Sequence, residues 1–217
     1  MSTRIRKSQA ASRAPALEPR KRAVQERSRA TVDALLEATA RILVKDGFEA
    51  ASTNRIAAEA GVSIGSLYQY FPSKESLVAA VIERHKQDML DMLRAEIVRV
   101  EKMPVEQAMR ELIAVTIRAH RVDPQLNRVL VEQIPRTGRL AEVDGFDREA
   151  HAMVRNYLES HQDELRGVDL DLATFVCVSC VETLSHGAVL RHPRLLANHK
   201  VETFIDEVTR LVTGYLR

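Results

Sequence analysis

The chain has 217 residues, of which 45% are hydrophobic and 29% are charged, and its formal net charge is +2. This length and composition are ordinary for a globular protein with one large or two small domains. The longest apolar stretch, Phe175 to Val181, is interrupted by Ser179 and is far shorter than the roughly 20 residues that cross a bilayer. No apolar segment follows the basic residues near the N-terminus, which argues against a secretory signal. We therefore expect a cytoplasmic protein without a membrane span.

Positive charge is concentrated in the first 29 residues, which hold nine basic and two acidic side chains, whereas the rest of the chain has an acidic excess. Low apolar content, together with Pro15 and Pro19, predicts a disordered basic arm over residues 1–27. Such an arm binds phosphates or the minor groove where it adjoins a DNA-binding domain. The alternatives are a solvated tail without a role and, from its Arg- and Ser-rich composition, a mitochondrial transit peptide.

Residues 53 to 74 have the spacing of two short helices joined by a tight turn. Ile56 and Ala57 share one face of the first helix, and Ala60 follows one turn later. Gly61 is predicted to end this helix, because glycine adopts the left-handed backbone at a helix C-terminus without a steric penalty.

The second short helix of this segment is predicted to begin after Ser63, whose hydroxyl can cap it. Leu67 and either Tyr70 or Phe71 return at helical spacing to cover the first helix. Ser73 offers the next N-cap. The pattern therefore predicts a helix-turn-helix that is followed at once by a further helix.

The polar side chains of the segment fall outside the packing positions and are hydrogen-bonding groups of the kinds that contact phosphates and base edges. An αα-hairpin within a helical core is the alternative, because Ala, Gly and Leu are common at these spacings. The polar set favours DNA binding over that alternative. Its members are Thr53, Asn54, Arg55, Ser63, Ser66, Tyr68, Gln69 and Lys74.

Residues 28 to 77 resemble the N-terminal domain of the TetR family of bacterial transcription regulators. The matching residues are Ala38, Phe48, Thr53, Ile56, Ala57, Ala60, Gly61, Val62, Ser63, Gly65, Leu67, Tyr68, Tyr70, Phe71, Lys74 and Leu77. The resemblance implies an all-α fold, with a three-helix DNA-binding domain over residues 28–75 and a helical ligand-binding and dimerisation domain over residues 76–217. It also implies that the operator is contacted by Thr53, Asn54, Arg55, Ser63, Ile64, Gly65, Ser66, Tyr68, Gln69, Tyr70 and Lys74.

Past this motif, apolar residues recur at helical spacing almost to the end of the chain. One long amphipathic helix is predicted from Ser73 to about Glu101. Further helices are predicted over about 104–123, 124–134, 146–165, 168–191 and 197–216, with Pro135 and Gly138 ending the second of these.

The helix predicted over 168–191 has little polar surface between Ala173 and Val181. Such a helix is either wholly internal or paired with another subunit on one side. A two-fold symmetric operator requires a two-fold symmetric protein, and in the family resembled the last two helices form the dimer seam. We therefore expect a homodimer through the last two helices.

The chemistry-bearing residues do not indicate an enzyme. Cys177 and Cys180 form a Cys-x-x-Cys, but there is no second ligand pair for zinc and no βαβ pattern, so core packing is favoured over a redox role. The seven histidines are scattered, with His186 and His192 isolated, and no metal site or cofactor is expected. No phosphate-binding loop, nucleophile elbow or carboxylate pair is present, which leaves a small helical redox protein as the enzyme alternative.

An effector pocket is expected between the helices that begin near Ser73, Pro104, Phe146 and Val168. Few charges fall on the inward faces, so an apolar or amphipathic small molecule is expected to bind there. The predicted function is a repressor released from a palindromic operator by that molecule; a constitutive DNA-binding protein is the alternative, and transcriptional activation stays open. The resemblance and the helical phase assign to the pocket Met89, Met92, Leu93, Ile113, Thr116, Ile117, Leu130, Met153, Tyr157 and Phe175, with His120, Gln133 and Arg136 as polar partners.

Overall fold

The structure is a computed structural model that describes residues 26–134, 145–197 and 199–217. Within these ranges the chain forms α-helices, two short 3₁₀ helices (Gln162–Glu164 and Pro193–Leu196) and no β-strand, which confirms the predicted all-α fold. Most of the predicted basic arm lies outside the described residues. The α-helices are α1 (Glu26–Ala50), α2 (Thr53–Glu59), α3 (Ile64–Tyr70), α4 (Lys74–Val100), α5 (Val105–Val122), α6 (Pro124–Glu132), α7 (Gly145–Ser160), α8 (Leu170–Arg191) and α9 (Lys200–Leu216).

The turn between α2 and α3 is set by local signals. Ser52 caps α2 by accepting a hydrogen bond from the Arg55 backbone N–H at 3.3 Å. Ser63 caps α3 in the same way, with the Ser66 N–H as donor at 3.1 Å. Gly61, between them, has a φ of 66°, in the left-handed region that glycine reaches without a steric penalty. The helix-turn-helix is therefore specified by residues within it.

One buried core joins α1, α2, α3 and the start of α4. Ile56 of α2, Leu67 of α3 and Leu77 of α4 are fully buried in it. Leu126 and Val129 of α6 belong to the same core, although the whole of α4 and α5 separates them from the helix-turn-helix in the chain. The N-terminal core is thus completed by a helix from the C-terminal half.

A close approach between α1 and the end of α6 occurs at Gly47. Its φ of 79° interrupts α1 and lies in the region that other residues rarely adopt. A Cβ atom at this position would lie 2.8 Å from Oε1 of Gln133, the residue that follows α6. Glycine therefore gives both the required backbone turn and the space for Gln133.

The C-terminal half is a bundle in which α5 occupies the centre. α4 runs out of the N-terminal core without a break and packs against α5 and α7, while α5 also packs against α8 and α9. Two further apolar cores form there, one around Val100, Leu158 and Leu216 and the other around Ile113 and Ile117. A change in the position of α5 therefore alters its packing against α4, α8 and α9 together.

Two predicted helix boundaries are wrong. The helix predicted over 146–165 ends at Ser160, because the His161 N–H bonds to the Leu158 carbonyl three residues back and the chain continues as a 3₁₀ helix. The last helix begins at Lys200 rather than at 197, after the Pro193–Leu196 3₁₀ helix. The residues predicted to end α6, Pro135 and Gly138, lie outside the described residues.

In the part of the chain that the structure describes, α8 alone is long and apolar enough to cross a membrane by length and composition. A core helix of a soluble protein passes the same test. Here α8 packs against α5, α7 and α9. The sequence-based estimate counted only the apolar run from Phe175 to Val181, and it therefore understated the length of this apolar helix.

Candidate nucleic-acid interface and internal cavity

Part of the predicted DNA-contacting set forms an exposed surface on α2 and α3. Asn54, Ile64, Tyr68 and Gln69 are exposed, and Thr53 is half-buried beside them. The Tyr68 and Thr53 hydroxyls lie 3.0 Å apart, a hydrogen bond that joins the start of α2 to α3. We call these five residues the reading face. Its hydroxyl and amide groups are suited to phosphates and base edges.

The first turn of α3 adds Ser63, Gly65 and Ser66 beside the reading face. The Ser63 and Ser66 hydroxyls lie 2.9 Å apart, and the Ser63 oxygen also accepts the capping bond from the Ser66 N–H. Gly65 is exposed and carries no side chain, so the backbone there is open to close approach. A phosphate bound by either hydroxyl therefore has to be bound in addition to the hydrogen bonds that cap α3.

The two basic residues predicted to contact DNA are engaged within the protein. Arg55 forms an ion pair with Asp46 of α1. The Lys74 Nζ donates to the Phe48 carbonyl at 3.2 Å and lies 4.0 Å from the centre of the Phe48 ring. These contacts hold the end of α1 against α2 and α4. Because α3 itself contains neither lysine nor arginine, positive charge for phosphate binding has to come from outside that helix.

Tyr70 is placed in the core rather than on the reading face. It is 7% exposed and packs with Leu67 and Phe71. Two residues along a helix correspond to a rotation of about 200°, so Tyr70 points away from the side that carries Tyr68. The sequence supported two assignments for Tyr70, core packing and operator contact. Its burial agrees with core packing and does not agree with operator contact.

A narrow cavity of about 70 Å³ lies between α4, α5, α7 and α8, in the bundle position expected for the effector pocket. Ligand pockets for drug-sized molecules span about 300–1,000 Å³, so only a slim group enters this cavity unless its walls move. Its wall is almost wholly apolar. The lining residues are Met89, Leu93, Met109, Leu112, Ile113, Val115, Thr116, Ala119, Ala150, Val154, Cys177, Val178, Val181 and Glu182.

Of the ten residues predicted to bind the effector, Met89, Leu93, Ile113 and Thr116 line this cavity. The predicted polar partners Gln133 and Arg136 do not contribute: Gln133 lies beside Gly47, and Arg136 falls outside the described residues. Most of the predicted residues therefore lie on the helices around this cavity, but only four of the ten line it, and their role in effector binding stays a prediction.

Three predicted lining residues belong to other packing units. Met92 faces a separate cavity between α1, α4, α5 and α6. Ile117 is buried in the core that α5 forms with α8 and α9, since it is one position, or about 100° of rotation, beyond Thr116. Leu130 packs against the N-terminal core.

The other three misplaced residues lie on α7 and α8. Tyr157 is buried and its hydroxyl donates to the Met103 carbonyl at 2.7 Å. Met153 is half-buried beside the lining residue Val154 but does not reach the cavity. Phe175 is 59% exposed and stacks on His151, with ring centres 6.4 Å apart. The first residue of α8 that lines the cavity is instead Cys177, two residues after Phe175.

A polar cluster lies at one end of the cavity. Of its members, the sequence predicted only His120 as a polar partner of the pocket; His186 was judged too isolated, and Glu182 was missed. Buried His120 of α5 lies 3.2 Å from Glu182 of α8, measured from Nε2 to Oε2. His186 of α8 lies beside both, and its ring meets that of His120 edge to face, with centres 5.6 Å apart. The only sequence signal was the i, i+4 spacing of Glu182 and His186, because His120 is 62 residues away from Glu182.

The charge state of this cluster follows from its surroundings. Burial raises the pKa of the Glu182 carboxyl, but the hydrogen bond from His120 and the nearby positive groups outweigh burial and leave the pKa lowered. Burial, with the neighbouring His120, lowers the pKa of His186. Glu182 is therefore an anion at the end of an apolar cavity, beside a neutral imidazole.

The cysteine pair behaves as packing rather than as a reactive centre. Cys177 is buried in the cavity wall and Cys180 is half-buried. Burial, together with the charge of Cys180, raises the pKa of the Cys177 thiol to about 12. A thiol held protonated in this way is a poor nucleophile.

The second cavity, about 430 Å³, marks looser packing where the two halves meet. His85 of α4 lies in its wall, and its Nε2 is buried without a hydrogen-bond partner among the described residues. Burial lowers the pKa of His85, which favours the neutral ring there.

Comparison with known proteins agrees with this geometry. Residues 35–81 match the family described as bacterial regulatory proteins, tetR family, and residues 104–216 match the tetracyclin repressor-like C-terminal domain. The chain belongs to the TetR family. The resemblance found in the helix-turn-helix sequence is thereby confirmed and extends over the C-terminal bundle, where the sequence alone had shown no clear likeness.

Individual relatives cover most of the chain. The nucleoid occlusion factor SlmA of Actinobacillus pleuropneumoniae is 25% identical over 198 residues, which span 91% of this chain and 87% of that protein. The solved structure of FadR from Bacillus subtilis in complex with stearoyl-CoA aligns over 85% of this chain and 99% of its own, with a TM-score of 0.66 and 15% identity. The SmeT–triclosan complex aligns over 87% and 92%, with a TM-score of 0.65 and 22% identity. These two structures share the fold with this TetR-family chain.

Proposed function

We propose that this TetR-family protein is a homodimeric transcriptional repressor that leaves a palindromic operator when a small amphipathic molecule enters the cavity between α4, α5, α7 and α8. One observation supports this proposal above all: α4 carries Leu77 into the core of the helix-turn-helix and Met89 and Leu93 into the cavity wall, without a break between them. A ligand that displaces the middle of α4 therefore acts on the helix that anchors the reading face.

In this proposal, DNA is bound mainly by the reading face. Gln69 and Ile64 contact base edges, whereas Tyr68, Thr53 and Asn54 contact phosphates. Ser63, Gly65 and Ser66 support these contacts from the first turn of α3. The basic residues near the N-terminus supply the positive charge that α3 lacks, and each phosphate they neutralise releases counterions.

Dimerisation through α8 and α9 is supported by the apolar groups that these helices leave exposed. Leu172 and Phe175 are exposed one turn apart on α8, Leu184 is exposed in the C-terminal half of the same helix, and Leu211 is exposed on α9 with Gly214 close by. Exposed apolar groups grouped along adjacent helices indicate an interaction surface. A two-fold dimer through it holds two copies of α3 about 34–36 Å apart, one turn of DNA.

The cavity also indicates the chemistry of the effector. Its apolar wall suits an aliphatic or aromatic body, and the Glu182 carboxylate at one end suits a cationic or hydrogen-bond-donating group. Because the cavity measures only about 70 Å³, such a molecule has to push the helices apart. It therefore binds the expanded form better than the closed form, and that difference in affinity is what shifts the conformational equilibrium.

The experiment starts from operator sequences selected out of random DNA by the purified protein. A panel of hydrophobic amines, fatty acids and aromatic drugs is then screened by thermal denaturation of the free protein. We expect a true effector to raise the melting temperature and to release the selected DNA at the same concentrations.

A matched pair of variants locates the site of that effector. Val178→Phe fills the cavity and should abolish the thermal shift while keeping DNA affinity, whereas Val98→Phe, on an exposed part of α4, should change neither. If every compound that stabilises the protein leaves the DNA complex intact, the protein is a constitutive DNA-binding protein and the proposed release mechanism is wrong.

A further inference from the structure

The polar cluster at the end of the cavity has the composition of a metal site. Its three donor groups, on His120, Glu182 and His186, all lie within 4.8 Å of one another. Two imidazoles and one carboxylate form a common ligand set for zinc bound by three protein side chains. We propose that these side chains bind a divalent transition-metal ion of the zinc class, a property that goes beyond the proposed function.

The distances suit such an ion. Tetrahedral zinc with ligand bonds of about 2.0–2.2 Å holds its donor atoms about 3.3 Å apart. The 3.2 Å between His120 and Glu182 already matches that value. His186 follows Glu182 by four residues, the spacing that places two ligands on one helix face. The donor atom of His186 lies no more than 4.8 Å from the other two, so it has to approach them by about 1.5 Å at most to reach the zinc separation. His186 is half-buried, and rotation of its side chain provides this movement.

The third ligand is held in position by α6. His120 is buried, and its Nδ1 lies 3.0 Å from the Asn127 side-chain nitrogen. With the amide nitrogen as donor, the ring proton sits on Nε2 and points to Glu182. A metal on Nε2 requires the proton on Nδ1, which Asn127 accepts after its amide turns to present the oxygen. An outer hydrogen bond of this kind orients metal-binding histidines in general.

A metal ion at this position connects the cavity, the contact between α5 and α8, and the neighbouring helix α6. Three protein ligands leave one coordination position open, and Glu182, which lines the cavity, places it at the polar end. The ion joins α5 to α8 next to Asn127, and the neighbours of Asn127 on α6, Leu126 and Val129, are buried in the N-terminal core. The site therefore lies between the cavity and the DNA-binding domain.

The test uses untagged, chelator-treated full-length protein and zinc chloride in isothermal titration calorimetry, with cobalt(II) absorption as a second readout of the ligand geometry. We expect one ion per chain. His186→Ala and Glu182→Gln should each weaken binding at least about tenfold, in keeping with the 10- to 100-fold cost of losing even an outer-shell partner. His192→Ala changes an exposed histidine just past the end of α8 and should leave the affinity unchanged.

Two results separate this site from other causes of binding. Equal affinity in the wild type, His186→Ala and Glu182→Gln would assign the zinc to surface histidines and overturn the proposal, as would loss of binding only in a Cys177→Ser/Cys180→Ser variant. Circular dichroism checks that each variant is folded; His186 and Glu182 are half-buried, so their replacement should preserve the helices. Because zinc binding is measured without DNA, its failure leaves the repressor proposal untouched.

Discussion

The two halves of the molecule differ in how completely they are packed. In the N-terminal core around α2 and α3, Ile56, Leu67 and Leu77 have no exposed surface, and the second cavity borders this core only at residues of α1, α4 and α6. The C-terminal bundle contains a cavity that is partly open to the surface, and Leu93 and Val178 in its wall are only half-buried. A close-packed interior transmits displacement as a rigid body, whereas helices around a void can shift with little loss of contact. We therefore expect the reading helices to keep a fixed geometry and the bundle to be the part that changes shape.

The halves also differ in what each can do alone. A single copy of α3 is two turns long and reads only a few base pairs, so specificity depends on the pairing that the bundle provides. Disabling the pairing while the reading face stays intact therefore tests whether the bundle provides this specificity.

We expect the largest effect from Leu211→Glu, which places a charge on the exposed outer side of α9. Burying an unpaired carboxylate in the proposed dimer seam is costly, so the variant should be monomeric. Its affinity for the selected operator should fall by about 1,000-fold or more, toward the level of non-specific binding. Light scattering after size-exclusion chromatography measures the mass, and fluorescence anisotropy measures the DNA affinity.

Val98→Glu is the matched control for this experiment. Val98 is 74% exposed on α4, compared with 56% for Leu211 on α9, and lies outside the proposed seam. It should remain dimeric and keep its operator affinity. If Leu211→Glu also stays dimeric, the seam lies elsewhere.

The difference in packing predicts that the same Leu→Ala substitution lowers the free energy of unfolding by different amounts in the two halves. Leu67→Ala should lower the free energy of unfolding by about 2–5 kcal/mol, because it opens a hole in a filled core. Leu93→Ala should cost clearly less, because Leu93 is half-buried and already borders a void. Urea unfolding followed by circular dichroism measures both. Equal losses would show that the bundle is packed as tightly as the DNA-binding domain.

The smallest expected effect concerns the reading face. Gln69→Ala should change the preference among selected operators by about 1–3 kcal/mol if Gln69 contacts an adenine. Tyr68→Ala should weaken binding to all sequences alike, because it removes a phosphate contact and the hydrogen bond to Thr53. Titration of both variants against a panel of single-base operator changes separates the two roles. An unchanged affinity for every DNA in Tyr68→Ala would remove that residue from the interface.

The same contrast explains what could be predicted from the sequence. The helix-turn-helix depends on Ser63, Gly61 and the spacing of apolar residues, all of which act within a few positions along the chain. Burial within it also follows from helical phase, which places Tyr70 inward where resemblance alone had assigned it to DNA. Capping and turn formation are local chemistry, so a single sequence contains most of the information.

Which residues line the cavity depends instead on how the helices pack against one another. Thr116 lines the cavity and Ile117 does not, a difference of one position that shifts with the rotation of α5. Phe175 satisfied the apolar pattern equally well, although it lies on the opposite side of α8 from Cys177. The partnership of His120 with Glu182 joins residues that no local pattern connects. Tertiary contacts of this kind are not encoded in the periodicity of any one helix.

The contribution of α6 to the N-terminal core has a consequence for protein engineering. Designers who exchange sensor domains to build new biosensors would cut this chain near residue 75, at the start of the long α4. A chimera made there would leave behind Leu126 and Val129, and with them part of the apolar cover of the helix-turn-helix. The neighbour of Gly47, Gln133, would be lost as well. A transplantable reading module of this protein therefore consists of two separate stretches of chain, and a working graft has to carry the start of α4 and the α6 surface along with α1–α3.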